Sequence, residues 1–159
     1  MCRLTTILFS FIFAGTVLAV FSSDRLYSAS LRTERTDTAR SLSFVDAAIK
    51  LDPINAELYF EKAYLLKRQL IVNEQRTTIN EKRSTINEQQ IYERCLHLYK
   101  RCINLSPSWP QYHLYYALIL NKMGSNSISR GFVKAELKKA AELKPYSEMY
   151  REFAEKCRS

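Results

Sequence analysis

The chain has 159 residues, enough for one small domain with a buried core plus a targeting or anchoring segment, but cramped for two domains with separate cores. Hydrophobic residues make up 47% and charged residues 25%, while glycine occurs three times and proline four. Turn formers are therefore scarce, which excludes a strand-and-turn architecture and points to an all-α fold. The formal net charge of +8 is uneven, about neutral over residues 24–53 and about +6 over 93–159, but the basic residues are interleaved with glutamates, as on a solvated face rather than a nucleic-acid-binding one.

The first predicted element is LTTILFSFIFAGTVLAVFSS, residues 4–23, which contains no charge and follows Arg3. About 20 mostly apolar residues suffice to span a bilayer as a helix, so residues 1–23 read as a signal anchor or a signal peptide. Val17-Leu18-Ala19 suits cleavage after Ala19, whereas the continuation through Val20 and Phe21 suits an uncleaved anchor with residues 4–22 in the membrane. Arg25, Arg32, Arg35 and Arg40 follow the segment; counted alone they keep the domain inside, while the position at the extreme N-terminus favours export. The expectation is a single-pass protein of a bacterial inner membrane with its C-terminal domain in the periplasm, joined by a linker over residues 24–35.

Residues 36–157 carry a repeated pattern. A predicted helix ends in Leu51, Leu105 or Leu143, two residues before Pro53, Pro107 or Pro145, and a new helix follows. Asn55, Ser108 and Ser147 stand just after those prolines as N-cap candidates. A last helix over about 147–157 would close the stack.

This pattern resembles the tetratricopeptide repeat, a helix-turn-helix unit of about 34 residues. Counted from Ala56, Tyr59 takes the family's first large aromatic position, Ala63 its small close-packing position and Leu66 the next apolar one. In the second helix Cys95 and Cys102 take the two alanine positions, Tyr99 the aromatic between them and Pro107 the closing proline. A second unit beginning near Pro110 has Ala117, Leu120, Gly124, Ala140 and Pro145; Ser41, Val45, Ala48 and Pro53 look like the second helix of an incomplete repeat. The resemblance implies a short α-solenoid of antiparallel helix pairs, preceded by the one hydrophobic N-terminal helix.

The cysteines fit that reading. Cys95 and Cys102 are seven apart in one helix, so their Cα atoms would lie about 10 Å apart, beyond disulfide reach, and they read as buried small residues where helices approach closely. Cys95 and His97 do not share a helix face and His113 has no evident partner in the sequence, so no metal and no cofactor are expected.

Residues 72–92 read VNEQRTT INEKRST INEQQIY, three heptads. A coiled coil needs two apolar seam positions per heptad; Val72, Ile79 and Ile86 supply one, but Gln75, Lys82 and Gln89 stand at the other. Between Gln69 and Tyr92, 22 residues intervene where the family leaves about two, so residues 70–91 are read as an insertion in the turn of one repeat, which costs only logarithmically in closure entropy.

No glycine-rich phosphate loop, catalytic carboxylate pair or nucleophile with a base is present, so the chain is not expected to be an enzyme. The resemblance implies instead a concave protein-binding groove formed by the first helix of each pair. Carried onto this sequence, its positions are Glu57, Phe60, Tyr64, Lys67 and Arg68, then Gln111, Leu114, Leu118, Asn121 and Lys122. Such a groove is apolar with a basic rim and suits an apolar peptide or helix with acidic flanks, although Phe60 and Leu114 are equally suited to the core. The expected role is a membrane-anchored adaptor or scaffold, on general likeness one serving envelope or exopolysaccharide assembly. The alternative is a polysaccharide or lipid-intermediate binding module in which Tyr112, Tyr115 and Tyr116 stack sugars.

Overall fold

The computed structural model describes residues 2–34, 36–76, 81–124, 127–145 and 147–156, and every regular element in them is a helix. These are α1 (Cys2–Thr33), α2 (Thr38–Leu51), α3 (Ala56–Arg76), α4 (Glu81–Leu105), α5 (Pro110–Met123), α6 (Ser127–Leu143) and α7 (Glu148–Lys156). The chain divides into two compact units, Met1–Leu58 and Tyr59–Ser159.

In the first unit, α1 and α2 pack antiparallel through small residues. Ser23 Oγ donates to the Ala48 carbonyl at 3.3 Å, and two turns further along α1, Ser30 and Ser41 meet with their Oγ atoms 2.8 Å apart. Ser41 Oγ also donates to the Ser30 carbonyl at 2.9 Å, which leaves the Ser30 hydroxyl as the donor between the two side chains. Ser23, Ser30, Ser41, Val45 and Ala48 are all fully buried, so the backbones approach closely and each buried hydroxyl finds a partner. Asp37 caps α2, accepting from the Arg40 N–H at 2.9 Å, and Asn55 Oδ1 accepts from the Glu57 N–H at 3.1 Å to open α3.

Two expectations change here. Residues 24–33, read as a linker, continue α1 without a break, and the second half of that helix supplies the first member of the pair whose second member is α2. Secondly, among the described residues no helix is long and apolar enough to cross a membrane, so the expected single-pass placement in a bacterial inner membrane with a periplasmic domain is corrected. The physical difference is that α1 does not end with its apolar run: it extends through Arg25 and Arg32 and buries Ser23 and Ser30 in protein packing. The side chains of residues 4–9 and 11 in that run lie outside the described ones.

The second unit is built from the rest of α3 with α4 to α7. Antiparallel pairing of α3 and α4 is fixed by Arg101 over the Tyr59 ring, Tyr99 against Phe60 and Cys95 Sγ donating to the Ala63 carbonyl at 3.5 Å. The α4–α5 turn closes with the Trp109 N–H on the Ser106 carbonyl. The residue at the N-cap of α5 is Trp109, in an extended conformation and without a side-chain cap bond, so Ser108 does not cap this helix. Pro110 at the first helical position needs no N–H partner and has its φ already set, which replaces the missing cap. Val133, Leu137 and Ala140 of α6 pack on Leu114 and Ala117 of α5, and Tyr150 of α7 completes the cluster.

The heptads prolong both neighbouring helices, α3 as far as Arg76 and α4 from Glu81. Residues 77–80, and the side chains of residues 72–87, Val72, Ile79 and Ile86 among them, lie outside the described ones.

Candidate functional site

The second unit has an aromatic centre from which its candidate site follows. Phe60 of α3 meets Tyr99 of α4 edge-on at 5.8 Å and Tyr112 and Tyr115 of α5 at 5.5 and 5.2 Å. Tyr99 and Tyr115 stack at 5.8 Å, and Lys67 Nζ lies 5.7 Å over the Tyr115 ring. These contacts hold α3 and α5 side by side and position what lies one to two turns beyond them.

What lies there is a cavity of about 260 Å³ lined by Lys67, Leu70 and Ile71 of α3, Tyr92 of α4, and Leu118, Ile119, Asn121 and Lys122 of α5. Its floor is aliphatic, since Leu70 and Ile119 are buried, and its rim is polar, since Asn121 and Lys122 are exposed and Lys67 is half-buried. Ile71 stands 47% exposed at the mouth, so an apolar contact is on offer to a ligand. An aliphatic pocket with two ammonium groups at its edge suits an apolar side chain next to a carboxylate.

Of the ten positions implied by the resemblance, the structure gathers four here: Lys67, Leu118, Asn121 and Lys122. Phe60 is engaged in the aromatic centre on several sides, and Leu114, 3% exposed, belongs to the core against α6 rather than to a groove. Tyr64 is 39% exposed and Arg68 half-buried on α3, neither lining the cavity. Gln111 is half-buried, with its side-chain oxygen enclosed and without a hydrogen-bond partner. Glu57 belongs to the first unit, where its carboxylate accepts from the Tyr27 hydroxyl at 3.1 Å. Leu70, Ile71, Tyr92 and Ile119 are not among the positions the resemblance implies; the first two sit at the edge of the heptad insertion, and treating the insertion as a loop conceals that Leu70 is 4% exposed.

Two of the three tyrosines expected to stack sugars are engaged in packing. Tyr112 is 6% exposed and contacts Phe60 and Trp109, and Tyr115 contacts Phe60, Tyr99 and Lys67. Burial, with Glu136 nearby, raises the Tyr116 hydroxyl above its ordinary value.

The buried polar groups shape the unit. Cys95 and Cys102 are in no disulfide and are fully buried; burial pushes the Cys95 thiol up to about 11, partly offset by Lys67, and the Cys102 thiol up to about 12. Thiols held so far above neutral pH are poor nucleophiles. Between them Tyr99 is fully buried, its hydroxyl has no hydrogen-bond partner, and burial together with Cys95, Tyr115, Cys102 and Glu61 raises it far above the usual phenol range. His113, which has no evident partner in sequence, has two in space: Nδ1 lies 2.6 Å from Glu136 Oε2 and Nε2 lies 2.8 Å from the Pro107 carbonyl. Through these two contacts the ring ties α5 both to α6 and to the turn before it. Among the described residues no three His, Cys, Asp or Glu side chains gather to hold a metal.

No family model matches the chain, and no curated protein matches its sequence. Solved structures do match in fold. The tetratricopeptide repeat domain of Arabidopsis OM64 superposes with a TM-score of 0.65 at 11% identity, over 88% of this chain and 97% of that one. The first such domain of Spaghetti (RPAP3), bound to the HSP90 peptide SRMEEVD, gives 0.66 at 10% identity over 87% and 92%. The Yersinia enterocolitica type III secretion chaperone SycD, in complex with a peptide of the translocator YopD, gives 0.57 at 12% identity over 85% and 86%. At such identities the likeness shows the fold alone, an all-α tetratricopeptide-like repeat.

Proposed function

We propose that the chain is a protein-interaction adaptor whose second unit captures an apolar segment of a protein partner with acidic residues beside it. The observation that carries this reading is the cavity at the ends of α3 and α5, with buried Leu70 and Ile119 beneath and Lys67, Asn121 and Lys122 around it. The partner's apolar side chain fills the aliphatic floor, and its carboxylates approach the lysines, which steer association and select against basic flanks. Structural neighbours that hold peptides, the Spaghetti domain and SycD, support the class of partner. Membrane anchoring is no part of this reading.

A peptide array that places leucine, isoleucine or phenylalanine between glutamates, glutamines or lysines tests it. The glutamate-flanked apolar peptides are expected to bind best, and Ile71→Asp with Lys122→Glu, both at exposed positions, to abolish the preference while helicity is unchanged. Binding that ignores both the flanking charge and these substitutions would remove the cavity from consideration.

A further inference from the structure

The first unit carries a second, chemically different groove. It runs between α1 and α2, has a volume of about 850 Å³, and is lined by Arg25 and Arg32 of α1 and Arg40 of α2, with Phe21, Phe44, Ser28 and Ala29 among its other walls. Serine pairing fixes the register: Ser30 faces Ser41, so Arg32, two residues on, and Arg40, one residue back, stand across the groove from each other at one end. Arg25 lies seven residues from Arg32 on the same helix, about 10 Å further along.

All three arginines are exposed, and among the described residues none of them is ion-paired. Two are braced on aromatic rings instead, Arg25 over Phe21 at 5.0 Å and Arg40 over Phe44 at 5.7 Å. Stacking on a ring fixes the guanidinium plane and leaves its N–H edge free for an acceptor, and that planar fork matches a carboxylate or phosphate. Between the basic ends the wall is Ser28 and Ala29, whose small side chains leave room beside half-buried Phe44.

We propose that this groove binds an acidic peptide segment, with one carboxylate between Arg32 and Arg40, an apolar side chain seated on Phe44 over Ser28 and Ala29, and a second carboxylate reaching Arg25. Charge complementarity and spacing argue for that occupant. A single small anion uses one end only, whereas acids about two helical turns apart span both. Asp24, also on the wall, disfavours a continuous polyanion but accommodates a peptide with a basic residue near its second acid. The groove is separate from the cavity of the second unit and does not depend on the function proposed for it.

The test uses the full chain and a fluorescein-labelled peptide with two glutamates seven apart around a leucine, read by anisotropy, alongside the same peptide with glutamines and with inorganic pyrophosphate as competitor. The glutamate peptide is expected to bind, weakening with added salt, and Arg32→Gln with Arg40→Gln to raise its Kd about tenfold with helicity unchanged. Both measurements are made in the Ile71→Asp, Lys122→Glu background, in which the cavity of the second unit no longer takes a glutamate-flanked peptide, so the binding read is that of this groove alone. Equal binding of the glutamine peptide, no effect of the arginine changes, or no binding at all overturns the proposal. Pyrophosphate binding more tightly than the glutamate peptide also overturns it, by making the groove a phosphate site.

Discussion

The two units hold antiparallel helix pairs together by opposite means. Between α1 and α2 the contact is hydroxyl against hydroxyl and carbonyl, through Ser23, Ser30 and Ser41; between α3 and α4 it is ring and thiol, through Phe60, Tyr99 and Cys95. The first is short-range and directional, and each bond gains only about 1 kcal/mol over the water it replaces, but loses more if one partner is left stranded. The second is non-directional and rests on buried area and dispersion, so its cost on truncation scales with the volume removed. Close helix packing thus requires small or flat side chains at the contact, and the chemistry of those side chains is free to differ.

Substitutions can break that contrast, beginning with the largest effect. Tyr99→Ala empties the middle of the aromatic centre and should cost about 3–5 kcal/mol in urea unfolding, whereas Tyr99→Phe, which deletes a buried hydroxyl with no partner, should shift stability by no more than about 1 kcal/mol in either direction. A Tyr99→Phe loss as large as that of Tyr99→Ala would show that the hydroxyl, not the ring, holds the unit. Next comes Ser41→Ala, expected to cost about 1–3 kcal/mol because the buried Ser30 hydroxyl loses its acceptor. Adding Ser30→Ala should restore part of that loss, and strict additivity in the double-mutant cycle would mean that the serines are neighbours without coupling.

The gentlest probe is pH. Cys95 and Cys102 ionise near 9.0 when unfolded but only near about 11 and about 12 when folded, so the folded state holds more protons across that interval. Stability from this source is therefore complete below 9.0 and falls as the pH rises through the folded values. Urea midpoints measured from neutral to alkaline pH should decline, and replacing both cysteines by alanine should flatten the decline even if it lowers the midpoint throughout; an unchanged slope would assign the effect to other groups.

Much of the fold from α2 onward was legible in the sequence. Leucine before proline marked the ends of α2, α4 and α6, and cysteines where small residues pack predicted their burial. The N-terminal region misled because hydropathy reads composition and not partners: an apolar run beside arginines suggests a membrane flank, while the serines that pair α1 with α2 look like ordinary polar residues until Ala48 and Ser41 are seen opposite them. Three of the arginines counted for topology, Arg25, Arg32 and Arg40, turn out to wall a groove. Leu114 and Leu118 are one turn apart, and only the placement of α6 decides that Leu114 is core while Leu118 also reaches the cavity. His113 was opaque for a related reason, since Glu136 lies 23 residues away and no local spacing connects them.

The inertness of the two interior thiols makes them clocks. A maleimide cannot reach Cys95 or Cys102 while α3 and α4 remain packed, so once Cys2 and Cys157 are replaced by serine, the rate of labelling counts how often that helix pair opens. Run with and without a captured peptide, the same clock reports whether a partner at the cavity slows the opening of the helices that form it, using only atoms the chain already carries.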